Sequence, residues 1–69
     1  MTNTLELEAS IKRAGISKRE LAKRLKISEM ALYNKIHNIA EFKASEIEES
    51  RKALNLSCSQ RDIIFLVYR

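Results

Sequence analysis

Side chains suited to molecular recognition cluster in one short stretch of the sequence, residues 28 to 38. At about 100° per residue, a helix over this stretch points Met30, Asn34 and His37 away from its apolar stripe, with Tyr33 beside them. We call this surface the outer face, and it comprises Glu29, Met30, Tyr33, Asn34 and His37. These groups suit hydrogen bonding and apolar contact with a partner molecule.

The sequence contains no arrangement that predicts catalysis. It has no glycine-rich phosphate loop, no nucleophile with a plausible base, and no paired carboxylates where water could be excluded. We interpret Glu46, Glu48 and Glu49 as the solvated face of a helix. His37 has no second histidine or cysteine at ligand spacing, so we expect no metal and no cofactor.

Two short helices joined by a tight turn are predicted to hold the outer face in place. Ser17 is a good helix N-cap, and Glu20 stands three residues later, which is the spacing of a capping box. Ser28 repeats the N-cap signal for a second helix. Small Ala22 lets the two helices approach closely where they cross. The sequence therefore predicts helix, turn and helix over residues 17 to 38.

This stretch resembles the helix–turn–helix of the Cro/C1 (XRE) family of DNA-binding domains. The residues that carry the resemblance are Ser17, Glu20, Leu21, Ala22, Leu25, Ile27, Ser28, Leu32 and Ile36, with weaker matches at Phe42, Ile47, Leu54 and Leu56. The chain departs from the family at Lys18, where Gln is usual, at Lys26, which replaces a turn Gly, and at Asn38, which replaces a second Gly. In particular, the stretch resembles that of small phage and prophage regulators of Gram-positive bacteria.

The resemblance implies a compact, all-α, lambda-repressor-like domain of four or five helices, whose second motif helix enters the major groove of double-stranded DNA. Asn34 can then bond adenine through both amide groups, and Glu29 can accept from cytosine N4. Glu29 equally suits a helix-dipole partner or a group that repels wrong sequences. Met30 and Tyr33 suit a thymine methyl group, a phosphate bond from the phenol, or a protein–protein patch.

Basic side chains in and beside the motif are the predicted phosphate contacts. The chain carries 13 Lys and Arg against 9 Asp and Glu, a net charge of +4, and the acids cluster outside the motif. A basic centre between acidic arms favours a phosphate-facing surface. The predicted phosphate contacts are Lys18, Arg19, Lys35, His37, Asn38 and Lys43. Arg19, Lys23 and Arg24 equally suit a merely solvated face.

The rest of the chain is predicted to be scaffold. A first helix over residues 4 to 14 ends at Gly15, and Phe42 fills the core from the loop of residues 38 to 43. A fourth helix covers residues 44 to 54. Either Ser45 caps its start, or Phe42 and Ile47 form a hydrophobic staple that starts it two residues earlier. The resemblance implies that this helix is the loosest, because Ser50 and Arg51 stand where members of that family usually have apolar side chains. A short fifth helix is predicted over residues 59 to 63.

The last residues, 63 to 69, differ in kind because β-branched and aromatic side chains crowd together. Their alternation predicts a short extended tail that is apolar on both sides. Such a tail needs two partners, and the second could be a symmetry mate. The predicted dimer contacts are Ile64, Phe65, Leu66, Val67 and Tyr68. The alternative is that the tail only completes the core of the monomer.

Length and composition place limits on the whole chain. Its 69 residues predict one small domain, and the single Cys58 excludes an internal disulfide. The acidic N-terminus is unlike a signal peptide, and the longest apolar run is too short to span a bilayer. We therefore expect a cytoplasmic protein of a bacterial cell, associated with the nucleoid, with no membrane or small-molecule partner.

Taken together, the patterns favour a sequence-specific DNA-binding transcriptional regulator, a phage repressor or Cro-like protein that acts as a homodimer. An interaction module of the same fold is the alternative, with the outer face and the tail used on protein, as in an anti-repressor or an antitoxin.

Overall fold

Five α-helices and their connections make up residues 1–66, the part of the chain that the computed structural model describes. The helices are α1 (Thr4–Ala14), α2 (Lys18–Leu25), α3 (Glu29–Ile36), α4 (Ala44–Ala53) and α5 (Cys58–Phe65). The described residues form no β-strand, so the predicted all-α class is confirmed for them. None of these helices has the length and apolar character needed to cross a membrane.

Side-chain caps begin most of the helices where the sequence predicts them. The Ser17 hydroxyl accepts from the Glu20 backbone N–H at 3.0 Å, and the Glu20 carboxylate accepts from the Ser17 backbone N–H at 3.1 Å. Ser28 accepts from the Ala31 backbone N–H at 3.0 Å, which confirms it as the predicted N-cap of the second motif helix. Because these caps satisfy otherwise orphaned backbone groups, they fix where α2 and α3 begin.

Each of the helices α1 and α2 ends in a left-handed residue. Gly15 has φ +73°, a conformation that suits glycine because it has no Cβ. Lys26 adopts φ +60° at the end of α2, and its backbone N–H donates to the carbonyl groups of Ala22 and Lys23. A lysine therefore makes the turn between α2 and α3 at a conformational cost of about 1–2 kcal/mol.

Each helix packs against at least two others. Helix α2 packs against both α3 and α4, while α1 packs against α3 and α5, and α4 packs against α5. The buried apolar core comprises Leu7, Ile11, Leu21, Ala22, Leu25, Leu32, Ile36, Leu54, Leu56, Ile64 and Phe65. Since every helix contributes to this core or packs on it, the orientation of α3 is set by the whole set of helices.

Helix α4 has the earlier of its two predicted starts, the one with Phe42 and Ile47 as a hydrophobic staple. Lys43 is its N-cap residue, with half-buried Phe42 before it and half-buried Ile47 after it, both packed against the core. Phe42 fills the core as predicted, with its ring edge-on to that of Phe65 at a centroid distance of 5.1 Å. The interpretation of Glu46 as a solvated residue is wrong: its side chain is buried and accepts from the Lys43 backbone N–H at 2.8 Å.

Ser50 is a polar residue inside the α4 interface. It is 0% exposed, and its hydroxyl has no hydrogen-bond partner within residues 1–66. Because a buried hydroxyl without a partner is destabilising, we expect Ser50→Ala to raise the free energy of unfolding by about 1 kcal/mol. Urea denaturation followed by circular dichroism measures this change.

Ser45→Ala is the matched control, since Ser45 is exposed on the same helix. This variant should change the free energy of unfolding by less than about 0.5 kcal/mol. A clear loss of stability in Ser50→Ala would mean that its hydroxyl bonds a group that stabilises the fold.

Helix α5 includes the first three residues of the predicted extended tail. Ser57 and Gln60 form a reciprocal capping box, and the helix runs to Phe65, past the predicted end at Ile63. The prediction of an extended conformation is therefore wrong for residues 63 to 65. Half-buried Leu66 ends the helix with φ +49°, and the predicted dimer contacts Val67 and Tyr68 lie outside the described residues.

Two of the predicted dimer contacts belong to the core of the monomer. Ile64 is 1% exposed and Phe65 is 6% exposed, because the helical period turns both side chains towards α1 and α4. Neither side chain is available to a second copy of the chain, so their assignment to a dimer surface is wrong. Ile63, by contrast, is exposed on the opposite side of α5.

Candidate nucleic-acid interface

A turn of three residues, 26 to 28, sets the angle between α2 and α3. The Ile27 backbone N–H donates to the Ala22 carbonyl at 3.0 Å, and the Ile27 side chain packs half-buried against the core. Ser28 then caps α3 directly. Because a backbone hydrogen bond and a core contact anchor the turn, the direction of α3 relative to α2 is fixed.

The outer face lies on the surface as the sequence predicts. Met30 is 68% exposed and Tyr33 is 52% exposed, whereas Leu32 and Ile36 on the opposite side are buried. Glu29 and His37 are also exposed, and Asn34 is half-buried. The side chains proposed to read bases are thus accessible, and their contact with bases stays a prediction.

The backbone carbonyl of Asn34 is hydrogen-bonded, whereas its side-chain amide is not, within residues 1–66. Its carbonyl accepts from the backbone N–H groups of Ile39 at 2.8 Å and Ala40 at 3.1 Å. Within residues 1–66 its side-chain amide makes no hydrogen bond. An amide group on a fixed backbone can therefore offer both its donor and its acceptor to a ligand.

Tyr33 and His37 form an aromatic pair one helical turn apart. Their ring centroids are 4.4 Å apart, with the planes tilted by 44°. Such a contact contributes about 0.5–1.5 kcal/mol. It therefore favours one orientation of the Tyr33 ring at the surface.

Two ion pairs border the outer face. The Lys18 ammonium lies 2.7 Å from the Glu8 carboxylate on α1, with both side chains partly exposed. The Arg19 side chain is 85% exposed, and its Nε lies 4.0 Å from the Glu29 carboxylate. Glu29 is also the first residue of α3, where a carboxylate favours the helix dipole. Because such exposed pairs are weak, phosphate groups can compete for Lys18 and Arg19.

Lys23 is an exposed cation that our sequence prediction left out of the phosphate set. It shares with Arg19 and Glu29 the recess at the corner of α2 and α3, and it forms no ion pair within the described residues. The available signal was its spacing, four residues after Arg19, which puts both cations on one side of α2. Lys43 and His37 are exposed as well, so both keep their predicted availability.

The structure contradicts the predicted phosphate contact at Lys35. Lys35 is only 9% exposed, and its ammonium donates a hydrogen bond to the buried Glu46 carboxylate of α4. Burial acts to raise the pKa of Glu46, but hydrogen bonds from the Lys35 ammonium and the Lys43 backbone N–H outweigh burial and lower that pKa. Lys35 is therefore an internal tie between α3 and α4.

Asn38 is also committed inside the molecule. Its side-chain Oδ1 accepts from the Thr2 backbone N–H at 2.7 Å, and its Nδ2 donates to the Thr2 carbonyl at 3.0 Å. Its φ of +64° is the left-handed conformation, which asparagine adopts more readily than most residues other than glycine. The Asn38 amide thus binds the backbone of Thr2, so the predicted phosphate contact from this side chain is wrong.

The exposed side chains of α3 and the cations around it form a surface that can contact a partner molecule. Residues 1–66 contain no group of three or more His, Cys, Asp or Glu side chains that could hold a metal ion.

Comparison of the chain with protein-family models, with curated proteins and with solved structures finds no match in any of the three.

Proposed function

We propose that this protein is a sequence-specific, double-stranded DNA-binding transcriptional regulator in which α2, the turn and α3 act as a helix–turn–helix. Helix α3 enters the major groove and presents Glu29, Met30, Tyr33 and Asn34 to base edges. The observation that carries the proposal is the outer face itself. Polar and apolar side chains stand exposed on a helix whose other side is fixed in the core.

The exposed cations supply the phosphate contacts of this proposal. Arg19 and Lys23 flank the start of α3, Lys18 stands at the start of α2, and His37 and Lys43 lie beyond the end of α3. Contacts of this kind position a protein on the duplex without reading sequence. Each one releases counterions, so affinity should fall steeply as salt is added.

Regulation in this proposal is steric. A homodimer sets two copies of α3 in successive major grooves, about 34 Å apart, and blocks polymerase, as a repressor or a Cro-like switch protein would. The mechanism needs no cofactor. Selection of bound duplexes from a random pool, followed by sequencing, tests both sequence preference and dimerisation, because a two-fold protein enriches palindromes.

Two alanine variants distinguish contacts with base edges from contacts with phosphates on the selected duplex. Asn34→Ala should weaken discrimination at one base pair by about 1–3 kcal/mol and leave the salt dependence unchanged. Lys23→Ala should weaken binding to every sequence alike and reduce the slope of log K against log salt by about 0.9. Fluorescence anisotropy over a salt series measures both, and equal losses by Asn34→Ala on selected and random duplexes would refute its role.

A protein-interaction module is the second candidate, favoured by the apolar character of exposed Met30 and Tyr33. In that case the chain is an anti-repressor or an antitoxin, and its outer face binds the repressor or the toxin that it neutralises. Anisotropy with random duplex at about 50 mM salt distinguishes the two, because non-specific electrostatic binding is strong there. Absence of binding at micromolar protein would favour the protein partner.

A further inference from the structure

A shallow recess of about 290 Å³ opens between the outer face of α3 and the start of α2. Its apolar lining comes from Met30, Tyr33 and the buried Leu32. Lys18 and Glu29 complete the lining. We call this feature the Met30 recess; its lining is mainly apolar, although it lies on a surface where polar side chains predominate.

The walls of the Met30 recess differ in rigidity. The ring contact with His37 favours one orientation of Tyr33, so this wall is the more rigid one. Met30 is 68% exposed, and its unbranched thioether chain adapts its shape to a neighbour. An aromatic wall beside an adaptable one suits a small apolar group that enters from the solvent side.

The charges around the Met30 recess indicate the molecule that carries this group. Arg19 and Lys23 lie exposed at the adjoining corner of α2 and α3, which favours a polyanion. Glu29, which also lines the recess, carries a carboxylate that can accept a hydrogen bond. In the major groove an A·T pair presents a methyl group, the O4 acceptor and the N6 donor. The recess and Glu29 offer groups complementary to the methyl group and to the N6 donor.

We propose that the Met30 recess receives the 5-methyl group of one thymine in the bound duplex, and so reads a pyrimidine by its methyl group. This inference rests on the DNA-binding function proposed above. It assigns a base to a defined pair of side chains and predicts that thymine is preferred to uracil at one position. Because 5-methylcytosine presents the same methyl group, it should also be preferred there to cytosine.

Deoxyuridine scanning of the selected duplex tests the inference. Each thymine is replaced in turn by deoxyuridine, which removes only the methyl group and keeps the base pair. At the contacted position affinity should fall about fourfold, because the complex no longer buries one methyl group. At the same position, a duplex with 5-methylcytosine should bind more tightly than one with cytosine by a similar factor.

Met30→Ala should bring the thymine-to-uracil ratio close to one at that position, because the recess loses a wall. The variant should remain folded, since Met30 is largely exposed. Leu5→Ala is the matched control, an exposed apolar side chain on α1. It should keep the wild-type ratio, and circular dichroism of both variants verifies folding.

The outcomes separate this inference from the function on which it rests. Duplex binding that is indifferent to the methyl group at every position overturns the inference and leaves the DNA-binding proposal standing. So does a ratio that Met30→Ala does not change, because the methyl group is then read elsewhere. No binding to any duplex overturns the DNA-binding proposal itself, and the recess is then better matched to a protein side chain.

Discussion

Replacing Lys35 with alanine is expected to lower the free energy of unfolding by about 3–5 kcal/mol. The buried Lys35 ammonium is the hydrogen-bonded partner of the buried Glu46 carboxylate, which would then remain charged and without its counterion. A loss of this size is a large part of the stability of a small domain. Urea denaturation followed by circular dichroism should show a much lower midpoint, or an unfolded variant.

Two further variants make the Lys35 prediction specific. Lys52→Ala removes an exposed lysine from α4 and should change stability by less than about 0.5 kcal/mol. The double variant Lys35→Met with Glu46→Leu should recover most of the loss, because apolar groups of similar volume replace a buried pair well. If Lys35→Ala behaved like Lys52→Ala, the ion pair between α3 and α4 would contribute little.

Acid should act on the same ion pair. The pKa of Glu46 is lowered in the folded protein from an ordinary value of 4.5, so the folded state binds its proton less readily than the unfolded chain. This contribution is fully present above about pH 4.5 and is lost as the pH falls through the lower, folded pKa. The stability difference between wild type and Glu46→Gln should therefore shrink on acidification. Hydrogen bonds from Arg51 also lower the pKa of Glu48, but equally in both proteins.

Asn38→Ala is expected to lower the free energy of unfolding by about 3 kcal/mol. The variant loses both hydrogen bonds to Thr2, each contributing about 0.5–1.5 kcal/mol. It also forces alanine into a left-handed conformation, which costs about 1–2 kcal/mol. Chemical denaturation measures the sum.

Asn55 is a matched control for the Asn38 prediction. It is an exposed asparagine with φ +53° at the end of α4, and its side chain makes no hydrogen bond within residues 1–66. Asn55→Ala should show the conformational part alone, about 1–2 kcal/mol. Asn38→Gly should still be destabilised, because glycine relieves the strain but cannot replace the amide. Equal losses in the two alanine variants would contradict the proposed role of the Asn38 amide.

Local patterns were enough to predict most of the helices. The caps at Ser17, Ser28 and Ser57 depend on residues two to four positions away, so the sequence alone contains the relevant partners. The outward exposure of Met30 and Tyr33 follows from helical periodicity in the same way. The all-α class and the accessibility of the outer face were therefore predictable.

The failed predictions depend on distant parts of the chain. Periodicity places Lys35 at the flank of α3, and only the docking of α4 brings Glu46 to it. Asn38 looks like an ordinary helix cap until Thr2, 36 positions away, reaches its amide. The β-branched cluster at residues 63 and 64 suggests a strand, but the Ser57 cap and core packing favour helix.

The contacts made by residues 2 to 4 have a consequence for the order of folding. Thr2 and Thr4 bond the end of α3, and the Asn3 backbone N–H donates to the Ile64 carbonyl, almost the full described length away. Contacts that close such long loops form late, because chain entropy opposes them until other elements have docked. We therefore expect the last turn of α3, with His37, to become rigid late in folding. Mutations there should accelerate unfolding more than they slow folding.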